Sequence, residues 1–262
     1  MNLELDGKVA VVAASSKGLG KAAALELARE GAHLVISARS SALETTAAQI
    51  REETGGEVMT VCADLTVPED VDRLVKTAVD HFGRIDILII NAGGPPTGNF
   101  LDLQPEEWEA AVQLTLMSAV RLCYAAVPHM LQQGSGSIVA IESISVKQPI
   151  DNLILSNSIR MAVIGLLKSM ANELGPKGIR INSINPTFTW TERVEQLLTE
   201  RADKNQSDIQ EEAAKIAEAI PLRRMGTVDE FGRAVAWLAS PAASYIHGHA
   251  LMFDGGAAKS SL

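Results

Sequence analysis

Residues 15–21 read Ser15-Ser16-Lys17-Gly18-Leu19-Gly20-Lys21 and join an apolar run to a helical pattern. A glycine-bearing turn of this kind lets the backbone approach an anion. Exposed N–H groups and the positive end of the helix dipole then hold it, and a pyrophosphate suits that arrangement. Glycine turns also simply end strands, so the motif gains its weight from standing at the first strand-to-helix connection. Other reactive side chains are sparse. The five histidines are His33, His81, His129, His247 and His249, and the tyrosines are Tyr124 and Tyr245. His247-x-His249 has a metal-like spacing, but no acid or cysteine partners it, and no metal site is expected. Cys62 and Cys123 are the two cysteines, too few for a disulfide framework or a cysteine metal cluster.

The elements that must position this turn follow from periodicity. Val9 to Ala14 is a buried-strand run, and Gly18 to Glu30 reads as a helix that Gly31 ends. Strand patterns recur at His33–Ser37, Glu57–Cys62, Asp86–Ile90, Gly136–Ile141, Ile179–Ile184 and Ala250–Phe253. Helical patterns lie between them at Ser41–Glu53, Glu69–Phe82, Pro105–Gln132, Ser156–Leu174 and Val228–Ala239. Such alternation predicts an α/β fold, a doubly wound parallel sheet with right-handed crossovers, in a single domain over residues 1–262. The segment 191–220 differs. From Glu192 to Ile220 it carries eight acids against four bases, with a weak helical pattern. It reads either as a solvated pair of surface helices or as a mobile lid at the carboxyl end of the sheet.

The whole chain has 262 residues, 47% of them hydrophobic, and a net charge of −9. That composition supports one large core and disfavours a nucleic-acid footprint, which needs a basic surface. The start, MNLELDGK, lacks a signal-peptide pattern, and no apolar run approaches the roughly 20 residues that span a bilayer. A cytoplasmic protein is expected.

Six segments in order resemble the short-chain dehydrogenase/reductase family: Ser15 to Gly20, Asp64-Leu65, Asn91-Ala92-Gly93-Gly94, Gly136 to Val139, Asn182 to Pro186, and Phe253 to Gly256. The resemblance implies a Rossmann fold that binds a nicotinamide dinucleotide through Ser15, Ser16, Lys17, Gly18, Leu19 and Gly20. Asp64 and Leu65 would then lie on the adenine side, Asn91, Ala92 and Gly93 would line the cleft, and Pro186 and Thr191 would lie toward the nicotinamide. It also implies a homo-oligomer, a tetramer or a dimer. One departure stands in the turn: Ala14 replaces the family's first glycine, and alanine resists the positive φ of a sharp turn. Arg39 follows the second strand, where no acid is available for a ribose 2′-OH. With Lys17 it favours a 2′-phosphate, hence NADP(H).

The family's chemistry uses an asparagine, a serine, and a tyrosine with a lysine four residues later. Here those four places read Thr115, Ser143, Ser156 and Arg160. A serine hydroxyl is a far poorer acid than a phenol, and arginine does not pass its proton on. Ser143 and Ser156 remain able to bind a carbonyl oxygen, and Arg160 to orient an anionic group. By strand alternation Glu142 is expected to point away from the cleft if Ser143 faces it. Lys147 and Asp151 fall in the loop that shapes the pocket, and Phe188 and Trp190 open the 191–220 segment as pocket or core aromatics.

The expected activity is NADP(H)-dependent reduction of a carbonyl or oxidation of an alcohol, with 3-oxoacyl reduction as one family possibility. The competing expectation is a catalytically impaired nucleotide binder acting as a sensor or scaffold. A non-redox lyase or isomerase is a third, since fold alone does not choose among them.

Overall fold

The computed structural model describes residues 2–260. In chain order the elements are β1 (Val9–Val12), α1 (Gly18–Arg29), β2 (His33–Ala38), α2 (Ala42–Thr54), β3 (Val58–Cys62), α3 (Pro68–Phe82) and β4 (Ile87–Ile90). Then come α4 (Pro105–Ala111), α5 (Ser118–Gln133), β5 (Gly136–Ile141), α6 (Ile154–Leu174), β6 (Ile179–Pro186), β7 (Thr189–Trp190), α7 (Glu192–Asn205), α8 (Ile209–Glu218), β8 (Gly226–Thr227), α9 (Val228–Ala239) and β9 (Ala250–Phe253).

Seven strands form one parallel sheet in the order β3-β2-β1-β4-β5-β6-β9. The chain runs outward from β1 to β3 and then returns to start the other half at β4. The switch between β1 and β4 opens a crevice at the carboxyl ends of the strands. The inner strands β2, β1, β4, β5 and β6 are covered on both faces, and their side chains alternate between two cores. Val9, Val11, Leu88 and Ile90 pack with α3, α5 and α6, while Ala10, Val12, Ile87 and Ile89 pack with α1, α2 and α9. Local chemistry sets the helix ends. Pro68 opens α3 with Glu69 and Asp70 in its first turn, and Gly83 closes it at φ +75°.

Two expectations need correction. The Pro105–Gln132 pattern is not one α-helix: a π-helical turn at Val112–Met117 separates α4 from α5. Residues 105–133 and 154–177 are also long and apolar enough to cross a bilayer by length and composition. Their apolar faces are spent on the sheet, where Leu122, Ala126, Met130, Val163 and Leu167 are buried. The 191–220 segment forms two helices, α7 and α8, the helix pair that is one of its two readings. They gain stability from a small core of Leu198, Ala213, Ile216 and Ile220, against which Trp190 packs. Their pattern reads weakly because so few positions are apolar, and tertiary packing stabilises them rather than propensity.

Candidate active site

A cleft of about 700 Å³ lies over the switch point. Its floor is the glycine turn. Ala14 does adopt the left-handed region, at φ +48°, and Gly18 does so at +57°. That conformation costs an L-residue roughly 1–2 kcal/mol. The side-chain amide of Asn91 donates to the Ala14 carbonyl at 3.0 Å and pins the turn. Gly20 admits no side chain: a Cβ there would meet the Ala14 carbonyl oxygen at 2.5 Å and Asn91 Nδ2 at 2.7 Å. Ser16, Lys17, Gly18, Leu19 and Gly20 all border the cleft. Ser15 does not. It is fully buried, and its hydroxyl donates to the Val12 carbonyl at 2.9 Å and accepts from the Ser37 N–H, joining β1 to β2.

One contact at this turn was not legible from spacing. The first N–H of α1, that of Gly18, donates to the Glu192 carboxylate at 3.2 Å. An anion already occupies part of the place a phosphate would take, and it is carried on the first residue of α7.

At one end of the cleft stand Lys17, Arg39, Asp64 and Leu65. Arg39 is 71% exposed in its side chain and lies 3.7 Å from Asp64. The Thr66 N–H and hydroxyl, with Arg39 adding to them, hold the Asp64 carboxyl below its usual range. Asn91, Ala92, Gly93, Pro186 and Thr191 border the middle and the other end.

The centre at that other end is built on Ser143 and Arg160. Ser143 borders the cleft, and its Oγ accepts the Ser145 N–H at 3.1 Å, which leaves its own proton free to donate. Arg160 comes from α6. Its Nε donates to Ser156 Oγ at 3.2 Å, and its Nη1 donates to Glu142 at 2.9 Å and to the Ile141 carbonyl at 3.4 Å. Nη2 has no hydrogen-bond partner among the described residues. Glu142 borders the cleft as Ser143 does, contrary to expectation. Its N–H still bonds the Ile184 carbonyl, so it keeps the alternation of β5 and faces α6 with Ile138 and Ala140; Arg160 of α6 pairs with it there and itself borders the cleft. Burial pushes the Glu142 carboxyl up, and the Arg160 guanidinium opposes that shift.

Ser156 and Thr115 are set back from the cleft wall. Ser156 is buried behind Arg160, with its Oγ 3.4 Å from that of Ser145. Thr115 sits in the π-helical turn, buried, with its hydroxyl unpartnered. Lys147 and Asp151 are exposed and do not border the cleft. Phe188 borders it, whereas Trp190 belongs to the α7–α8 core. His247 is structural: Nδ1 accepts the Ile181 N–H at 3.2 Å, and Nε2 meets the Ala171 carbonyl at 2.8 Å.

Comparison with known proteins places this arrangement. The family model described as Enoyl-(Acyl carrier protein) reductase matches residues 13–258. Dehydrogenase/reductase SDR family member 4 of Sus scrofa is 34% identical over 256 residues, covering 97% of this chain and 88% of the relative. The chain is a short-chain dehydrogenase/reductase. Within the family it is also similar to the 3-oxoacyl-[acyl-carrier-protein] reductase of Synechocystis sp., at 35% identity over 96% of this chain and 97% of that protein. The L-sorbose reductase of Gluconobacter frateurii, solved with NADPH and L-sorbose, superposes with a TM-score of 0.96 at 33% identity. It covers 99% of this chain and 100% of that one.

Proposed function

We propose that this chain is an NADP(H)-dependent oxidoreductase acting on a small carbonyl compound or the corresponding alcohol. The observation that carries the reading is the glycine turn. The close-packed Gly20, the left-handed Ala14 and Gly18, and the Gly18 N–H already bound to a carboxylate together form an anion cradle suited to a dinucleotide pyrophosphate. Ser16 through Gly20 would hold the phosphates, Asp64 and Leu65 the adenine end, and Asn91 through Gly93 with Pro186 and Thr191 the nicotinamide end. Lys17 and Arg39 border the cleft where a ribose 2′-phosphate would lie, which supports NADP(H) over NAD(H).

When bound, the nicotinamide supplies or accepts a hydride. The residues of the chain bind and orient. Ser143 donates its free proton in a hydrogen bond to the substrate oxygen, and the guanidinium of Arg160 stands beside it as a fixed positive charge. Glu142 holds the guanidinium in place through Nη1, and Phe188 covers part of the wall. A 3-oxoacyl thioester is one substrate class within this reading.

A second reading, binding of the dinucleotide without turnover, has its own support: Ser156 is set back from the cleft and committed to Arg160 and Ser145. Calorimetry with NADPH and NADH, beside a steady-state screen of aldehydes, ketones and acyl thioesters, separates the two. The first reading expects NADPH to bind the tighter, with Arg39→Ala removing most of the difference, on the scale of about 1.5–3 kcal/mol. It also expects Ser143→Ala to abolish turnover and leave NADPH binding intact. Tight binding with no turnover on any compound leaves the second reading standing.

A further inference from the structure

We propose that the free donors of Arg160 and Ser143 form a carboxylate-binding site, and that the substrates are carbonyl compounds with a carboxylate close to the reacting carbon, as in 2-oxo and 3-oxo acids. This substrate class rests on the oxidoreductase reading above.

The Arg160 side chain is 11% exposed, so its guanidinium has largely left water and must find acceptors within the protein. Nε is taken by Ser156, and Nη1 by Glu142 and the Ile141 carbonyl. Nη2 keeps its N–H groups without an acceptor among the described residues, on a side chain that borders the cleft. A guanidinium is planar and rigid, so the bonds at Nε and Nη1 also fix where the Nη2 hydrogens lie. Ser143 offers a second donor at the same end of the cleft. Its Oγ accepts the Ser145 N–H, and its own proton is free.

A neutral carbonyl oxygen satisfies the serine and leaves the guanidinium unanswered. A carboxylate brings two acceptor oxygens and the charge that a guanidinium matches best. A carbonyl compound with a carboxylate one or two carbons away can answer both donors, the carbonyl oxygen at Ser143 and the carboxylate at Nη2. The charge around the cleft agrees. The chain carries a net charge of −9, yet four cations border the cleft, Lys17, Arg39, Arg160 and Arg193, against three acids. Each acid is already engaged: Asp64 by Thr66 and Arg39, Glu142 by Arg160, and Glu192 by the Gly18 N–H. Lys17 and Arg39 stand at the adenine end, which leaves Arg160 and Arg193 for a substrate anion. Arg193, in the first turn of α7, makes no ion pair among the described residues, and its field draws an anion into the cleft. Leu114, Ile144, Ile150 and Leu153 supply apolar wall that strengthens the charge contact.

Two measurements test this, the first without turnover. Oxamate and malonamate present an amide carbonyl beside a carboxylate or one methylene from it, and neither accepts a hydride. Each is titrated by calorimetry into the protein saturated with NADP+. At least one should bind about tenfold or more tighter than its neutral ethyl ester, the scale of a hydrogen bond to a charged group. Arg160→Gln combined with Glu142→Gln removes the buried pair without leaving a lone charge, and it should erase the preference. Arg160→Lys, which keeps a charge against Glu142 and so protects the fold, should retain only part of it. No preference for either acid, a preference that the double variant keeps, or binding that NADP+ abolishes overturns the proposal. In the second measurement, pyruvate and acetoacetate are compared with their methyl esters as oxidants of NADPH. For one of the acids kcat/KM should exceed that of its ester about tenfold or more. Esters reduced as well as the acids overturn the substrate class and leave the oxidoreductase reading standing. NADPH that binds but is oxidised by no compound, beside an intact carboxylate preference, overturns that reading and supports the anion site.

Discussion

At the residue scale, the cleft of this short-chain dehydrogenase/reductase rests on a buried ion pair. Arg160 and Glu142 are 11% and 3% exposed in their side chains, so each depends on the other to offset the loss of water. A buried pair of this kind adds little to stability as a unit, yet removing one partner leaves an uncompensated charge. Glu142→Leu is therefore expected to destabilise the protein by about 3–5 kcal/mol in urea unfolding. Adding Arg160→Met to it should recover most of that loss. A single variant as stable as wild type would mean that the pair is solvated in solution.

At the element scale, α7 carries the contact that decides how the cleft is entered. The bond from Gly18 N–H to Glu192 spans 174 positions of sequence and ties the first turn of α7 to the first turn of α1. A pyrophosphate arriving at the cradle must displace this carboxylate. Glu192→Gln should then tighten NADPH binding, on the order of two- to fivefold for one exposed charge at a helix terminus. Calorimetry reads the change. The same substitution should leave urea stability within about 0.5 kcal/mol, as befits an exposed side chain. A second element, α9, shows how acid should loosen the fold. Thr227 and Glu230 form a capping box, and Arg224 pairs with Glu230. Arg224, followed by the Thr227 N–H, depresses the Glu230 carboxyl to about 2. Because the folded value lies below the unfolded one, about 4.3, this contribution is present above pH 5. It fades as pH falls through 4 toward 2. Glu230→Gln should lower stability at pH 7 and flatten its dependence on pH in that window.

At the scale of the whole molecule, the sheet is held by two cores that meet only through the strands. Phe231 on α9 is fully buried in one of them and meets Phe253 of β9 edge-on, with ring centroids 5.3 Å apart. This contact binds the last strand to a helix that also packs on α1. Phe231→Ala should cost about 3–5 kcal/mol, read as a lower urea midpoint. If the two cores unfold as one unit, that transition stays single with an unchanged slope.

Much of this protein could be read from its residues in order. Apolar runs and helical patterns alternate regularly, so the α/β class and the parallel sheet follow, because a strand buried on both faces must be apolar throughout. The glycine turn marks the anion end of the cleft by its place after the first strand. Spacing alone singles out Ser143, Ser156 and Arg160, and the fold joins the last two on α6. Spacing could not show where those side chains point. Alternation puts Glu142 on one face of the sheet, but only the fold shows that Arg160, from a helix that starts more than ten residues on, meets it there beside the cleft. Packing sets Ser156 and Thr115 behind the wall. The carboxylate on the glycine turn comes from the far side of the chain. Local patterns are short-range consequences of backbone geometry; the pairing of charges in a cleft is decided only when distant segments share one low-dielectric space.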